Sequence, residues 1–203
     1  MDFTQIINII LKTVSILLVL YVFEITKAVA TTLQGDDLPK RNEMLTLNIF
    51  KYFEPIGFLL TFFYGYGWGK PAPVSSRNYK DRKTGILITH LTPIIVSVLL
   101  AVVLNIVLKL MENAGSAVLV FMYLKLFLMY LIQYFIRIAI FNLIPIPPMC
   151  GSEIIRCLLS PNAEFQYGQN APLMQMGFLF LWFFGLVTPL IDSVVAVVSS
   201  FLF

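Results

Sequence analysis

Residues 141–151 read Phe-Asn-Leu-Ile-Pro-Ile-Pro-Pro-Met-Cys-Gly and follow a long apolar run that begins near residue 117. The apolar run predicts a helix over 117–143. The three prolines of the stretch end this helix, because proline lacks a backbone N–H and its ring clashes with the preceding turn. Together with Asn142 and Gly151, they indicate a fixed turn at the end of a membrane-length helix.

The composition indicates a chain that is embedded in lipid. Of its 203 residues, 59% are hydrophobic and 12% are charged, whereas a soluble domain carries roughly 25% charged residues. Several apolar runs exceed the roughly 20 residues that a helix needs to cross a bilayer. We predict an all-α, multi-pass integral membrane protein that forms a single domain over 1–203. The net charge of +3 does not suggest a nucleic-acid partner.

The apolar runs predict about five to six membrane segments. Helices are predicted at about 4–34, 86–111 and 117–143. The segment 45–69 is interrupted by proline and glycine and is either a kinked span or a re-entrant element, since irregular backbone at membrane depth needs cover. The last apolar block, 173–203, is broken at Thr188-Pro189 and is either one kinked span or two shorter elements.

Shorter elements connect these segments. We expect a turn at 112–116, a short helix over 151–159 and a polar loop from there to about Ala171. The loop 70–85 carries five basic residues against the single Asp81. Short basic loops stay in the cytoplasm, so we place this loop on the cytoplasmic side.

The stretch 141–151 resembles the second active-site motif of the site-2 protease family of intramembrane zinc metalloproteases, Asn-x-x-Pro-x-x-Pro-x-Asp-Gly. Asn142, Pro145, Pro148 and Gly151 match, and Cys150 stands in place of the aspartate. Four further blocks resemble family motifs in the same order: Phe23 to Ala28 with Gly35-Asp36; Leu45 to Asn48 with Glu54 to Gly57; Gly67 to Val74 with Arg77 to Tyr79; and Thr92-Pro93. The resemblance implies a core of the three long helices.

The resemblance also implies a lost zinc site. In the family, two histidines of a His-Glu-x-x-His motif and the aspartate bind zinc, and the glutamate is the general base. Here the ligand positions hold Phe23, Lys27 and Cys150, and only the base position, Glu24, is retained. A phenyl ring and an ammonium group cannot ligate, and His90 is the single histidine. We therefore predict no metal and no cofactor, and a degenerate member of the family.

Several residues have more than one interpretation. Glu24 and Lys27 are three apart and share a helix face; they form an ion pair in the former site, reach the interface separately, or form a working polar site. Cys150 is a small buried replacement, a metal ligand or redox sensor, or a nucleophile with Lys27 as base. Asn142 caps or orients the proline turn. Cys150 and Cys157 are both expected to be free thiols.

Two further features also keep alternatives open. The polar stripe of the helix over 117–143 faces either neighbouring helices or a partner groove; it consists of Lys125, Met129, Gln133 and Arg137. His90 is an ordinary interfacial residue or a pH-sensitive one.

We expect a non-catalytic pseudoprotease of a bacterial or archaeal cell membrane. It would contact membrane lipid and bind or regulate a transmembrane protein or peptide in a cleft formed by Lys27, Asn142 and Cys150. One alternative is an active intramembrane metalloprotease that uses non-standard ligands or a partner's residues. Another is transport through a polar cavity.

Overall fold

The computed structural model describes residues 2–113 and 119–202, and these contain helices and no strand, which confirms the all-α fold. The helices are α1 (Phe3–Leu33), α2 (Leu38–Arg41), α3 (Pro55–Tyr64), α4 (Arg82–Asn113), α5 (Leu119–Asn142), α6 (Cys150–Leu158), α7 (Pro161–Phe183) and α8 (Val187–Leu202). Single 3₁₀ turns lie at Ile49–Tyr52 and Ser76–Asn78.

The core is formed by the three long apolar helices α1, α4 and α5, each of which contacts the other two. At 1.5 Å per residue, even α5, with 24 residues, is about 36 Å long and exceeds the roughly 30 Å of bilayer hydrocarbon. Buried aliphatic side chains such as Ile16, Ala101 and Ile136 fill the space between them. The predicted three-helix core is therefore confirmed.

The described residues contain three helices that can span a membrane, or four if the bent pair α7–α8 counts as one span. The prediction of five to six segments is not confirmed. The main difference is α3, which has 10 residues and a length of about 15 Å, half of the hydrocarbon layer. Lys12 of α1 holds it in place, since its ammonium donates to the Phe62 carbonyl (2.7 Å).

The C-terminal part differs from the sequence-based expectation in two places. The polar loop predicted up to Ala171 is wrong, because α7 begins at Pro161. Proline suits the first helical position and Glu164 favours the first turn, so the polar residues continue the helix. The break in the last apolar block lies at Gly185 rather than at Thr188-Pro189: Gly185 has φ of 73°, and the two helices meet there at 85°.

The remaining short elements agree with expectation where they are described. The short helix predicted over 151–159 is α6. The turn predicted at 112–116 lies largely outside the described residues, which stop at 113 and resume at 119.

Candidate functional site

The proline turn brings α6 into direct contact with the end of α5. A Cβ at Gly151 would overlap the Leu143 carbonyl oxygen and would lie 2.7 Å from the Ile144 oxygen. Glycine is therefore required here by close backbone approach rather than by a special dihedral angle. Asn142 donates from Nδ2 to the Ile138 carbonyl of its own helix (3.0 Å), so it fixes the last turn of α5.

A segment without regular secondary structure, 65–75, covers the middle of α1. The Lys70 N–H donates to the Tyr52 carbonyl (2.9 Å), which ties the segment to the preceding 3₁₀ turn. A Cβ at Gly69 would lie 3.0 Å from Glu24 Cγ. The backbone of the segment thus passes directly over the retained base position.

The proline turn and the 65–75 segment enclose a cavity of about 120 Å³, which we call the Glu24 cavity. Its lining comprises Glu24, Lys27, Trp68, Gly69, Pro71, Asn142, Pro148 and Met149. Cys150 follows Met149 and is 1% exposed. The fold therefore brings Asn142 to Glu24 and Lys27, which lie more than a hundred residues earlier in the sequence, with Cys150 beside them.

The three former ligand positions do not fit zinc. Phe23 is 2% exposed and belongs to the hydrophobic core. Burial raises the pKa of the Cys150 thiol to about 11, and the nearby Lys27 charge opposes this rise only in part. Of the three positions, only Cys150 carries an atom that could become a zinc ligand, and one ligand does not hold zinc. Zinc requires thiolate, imidazole or carboxylate donors. The Glu24 carboxylate is such a donor, but it lies next to the Lys27 ammonium. The described residues contain no group of three or more His, Cys, Asp or Glu side chains that could hold a metal ion.

The predicted ion pair between Glu24 and Lys27 is not formed as a direct salt bridge. The salt bridges among the described residues do not include either side chain. Glu24 is 4% exposed, and its Oε2 atom has no hydrogen-bond partner. Lys27 lines two cavities, the Glu24 cavity and a larger neighbour. Lys27 therefore borders a second polar cavity in addition to the one that it shares with Glu24.

The larger neighbour, which we call the basic pocket, has a volume of about 470 Å³. Asp36, which follows the Gly35 turn, shapes one wall: it accepts hydrogen bonds from Ser75 N (2.6 Å) and Asn78 Nδ2 (2.7 Å). His90 is buried in this pocket and is not an exposed interfacial residue. The polar lining consists of Lys27, Ser75, Ser76, Arg77, Tyr79, Arg82, His90, Ser152, Glu153, Arg156, Cys157 and Glu164.

A charged cluster that the sequence interpretation missed joins α8 to the core. Asp192 Oδ1 accepts a hydrogen bond from the Tyr66 hydroxyl (2.5 Å) and a salt bridge from Arg137 Nη1 (2.9 Å). The Arg137 guanidinium lies 5.0 Å from the centre of the Tyr66 ring. In the polar stripe of α5, Arg137 therefore faces other elements of the same chain. The available signal was that Asp192 is the single charged residue in 173–203.

Comparison with known proteins gives one clear relative. The chain is 34% identical over 159 residues to the "Putative zinc metalloprotease YwhC" of Bacillus subtilis (strain 168), and the match covers 77% of this chain and 70% of the relative. No family model matches the chain. No solved structure matches it either.

Proposed function

Because the chain belongs to the family of the site-2 protease-like homologue YwhC, we propose that it is a non-catalytic membrane protein of that family. It binds a transmembrane protein or peptide partner in the former active-site cleft. The cleft is the Glu24 cavity together with the 65–75 segment. The protein resides in a bacterial or archaeal cell membrane, with the loop 70–85 on the cytoplasmic side.

The observation that carries this proposal is the set of side chains at the three ligand positions. Phe23 is part of the hydrophobic core, Lys27 brings an ammonium, and Cys150 is a protonated thiol. Zinc lowers the pKa of a bound water so that a glutamate can take its proton. Glu24 has no such neighbour, and a carboxylate alone leaves the water unactivated.

The geometry of the cleft supports binding without chemistry. The 65–75 segment has no regular secondary structure, and it lies over α1 beside Glu24. Trp68, Gly69 and Pro71 of this segment line the Glu24 cavity, so we expect a partner to contact them there. The proline turn and Gly151 keep the opposite wall in place without a metal. These walls support a role in which the cleft holds a partner and performs no cleavage.

Metal content and cleavage test the absence of catalysis. The full chain is purified in mild detergent, beside a variant in which Phe23→His, Lys27→His and Cys150→Asp rebuild the ligand set. We expect no stoichiometric zinc in the native chain and about one zinc per chain in the rebuilt one. The matched control adds Glu24→Gln, which leaves the rebuilt ligands intact. Stoichiometric zinc in the native chain, or Glu24-dependent cleavage of a transmembrane reporter, would overturn the proposal.

Photo-crosslinking in membranes tests partner binding. A photoreactive amino acid replaces Trp68, which lines the Glu24 cavity, and in a matched control it replaces Leu99, which is exposed on α4. We expect a discrete crosslinked protein from position 68 and only diffuse products from position 99. Equal patterns from both positions would show that the cleft has no preferred occupant.

A further inference from the structure

The side chains that line the basic pocket carry more positive than negative charge. Four cationic side chains line it, against two carboxylates. Both carboxylates are engaged: Arg82 pairs with Glu164 (2.6 Å), and Arg156 pairs with Glu153 (2.7 Å). The two other cations, Lys27 and Arg77, form no salt bridge among the described residues. The lining therefore has an excess of two positive charges.

Lys27 contributes to this positive charge from a buried position. Its side chain is 7% exposed, and it reaches the pocket from a membrane-spanning helix. Removing an ammonium from water is unfavourable by several kcal/mol unless an anion accompanies it, and charges within membrane helices normally have partners. The buried His90 also lines the pocket, and its Nδ1 atom has no hydrogen-bond partner. Two buried polar groups thus border one cavity: His90 Nδ1 has no hydrogen-bond partner, and Lys27 interacts with the charges of Glu24 and Glu153 without a direct salt bridge.

The mouth of the pocket is held in a fixed shape. Asp36 binds residues on both sides of Arg77, through the Ser75 N–H and the Asn78 side chain. Arg77 itself is exposed and carries a planar group that matches a phosphate or a carboxylate with two hydrogen bonds. Lys27 therefore lies buried in the pocket wall, and Arg77 lies at the mouth on a loop that is held by hydrogen bonds to Asp36.

We propose that the basic pocket binds the phosphate group of a small ligand, with Lys27 as the buried contact and Arg77 as the contact at the mouth. A phosphate monoester carries between about 1.5 and 2 negative charges at neutral pH, which matches the excess of two. The volume of about 470 Å³ lies within the range of small-molecule sites. The phosphate belongs either to a soluble metabolite or to a lipid headgroup. The site shares Lys27 with the cleft of the proposed function, but it needs no protein partner.

Binding of two probes to the full chain in detergent tests the site. Inorganic pyrophosphate represents a soluble source and dihexanoyl phosphatidic acid represents a headgroup; calorimetry measures the affinity of each. We expect Lys27→Met to weaken binding at least about tenfold, because it removes a buried charge contact. Arg77→Gln should weaken it several-fold. Lys80→Gln is the matched control, since Lys80 belongs to the same loop and does not line the pocket; it should leave the affinity unchanged.

Each outcome has a defined meaning. The site is supported if either probe binds and if its affinity is weakened most by Lys27→Met, less by Arg77→Gln and not by Lys80→Gln. The probe that binds more tightly identifies the source of the phosphate. Absence of binding for both probes at millimolar concentration overturns it, as does equal weakening by Lys27→Met and Lys80→Gln. If Lys27→Met does not fold, the comparison of Arg77→Gln with Lys80→Gln decides. These results are independent of zinc content and of crosslinks from position 68, so failure here leaves the proposed function standing.

Discussion

Replacement of Gly151 by alanine tests whether the proline turn is held by close backbone contact. The added Cβ would overlap the Leu143 oxygen, and it would lie 2.6 Å from the Leu143 carbonyl carbon and 2.7 Å from the Ile144 oxygen. All three neighbours are backbone atoms, which cannot rotate away as a flexible side chain would. The start of α6 must therefore move away from the end of α5.

The magnitude follows from two opposing effects. Overpacking of a well-packed region lowers the free energy of unfolding by about 1–3 kcal/mol, whereas alanine favours a helix over glycine by about 0.5–1 kcal/mol. We expect a net loss of about 1–2 kcal/mol, which for a chain of this size corresponds to a decrease in Tm of about 3–6 °C. Thermal unfolding of the purified protein in detergent measures it.

The matched control is Gly168→Ala on α7, where an added Cβ has no heavy atom within 4 Å. This substitution should leave Tm unchanged or raise it slightly, because only the helix preference acts. If Gly151→Ala is as stable as Gly168→Ala, then the close approach of α6 to the backbone of Leu143 and Ile144 does not constrain the turn. Gly151 would then not hold the cleft wall in place.

Three further predictions concern the charged cluster, the loop anchor and the buried thiol. Arg137→Leu should lower the free energy of unfolding by about 1 kcal/mol, because Asp192, which is 42% exposed, loses a partly exposed salt bridge. A double variant that also carries Asp192→Leu should recover most of the loss, and additive losses would argue against coupling. Asp36→Ala should lower the free energy of unfolding by about 3 kcal/mol, because it leaves the Ser75 N–H and the Asn78 side-chain amide without their charged acceptor. The loop around Ser75 and Asn78 should become sensitive to protease, and unchanged digestion would contradict this. At pH 8, the Cys150 thiol, with a pKa of about 11, has about 100-fold less thiolate than an ordinary exposed thiol with a pKa near 9. Iodoacetamide should therefore label Cys150 only as the pH rises toward 11. Mass spectrometry that finds Cys150 labelled before Cys157 at pH 8 would contradict this expectation.

The long spans were predictable because their signal is local. The helices predicted at 4–34, 86–111 and 117–143 begin and end within a few residues of α1, α4 and α5. Continuous apolar runs of this length have few alternatives in lipid. The proline turn was predictable for the same reason, since three prolines end a helix whatever surrounds them.

The short and bent elements could not be predicted with the same success. α3 is as apolar as a spanning helix but ends after 10 residues, at Gly65, which leaves it at about half the length needed to cross the hydrocarbon layer. The polar start of α7 looked like a loop, because asparagine and glutamine are compatible with both states. Helix or loop is decided there by Pro161 and by the residues around it.

The sequence by itself determined the membrane class, the order of the blocks that resemble family motifs, and the side chains Phe23, Lys27 and Cys150 at the positions where the family has zinc ligands. These conclusions depend on which side chains are present, and a phenyl or ammonium group cannot bind zinc in any fold. Only the tertiary structure decided what the replacements do instead. It places Phe23 in the hydrophobic core, leaves Glu24 and Lys27 without a direct salt bridge, and opens a second pocket beside Lys27. Such contacts depend on loops that come from distant parts of the chain, and the periodicity of one helix carries no information about them.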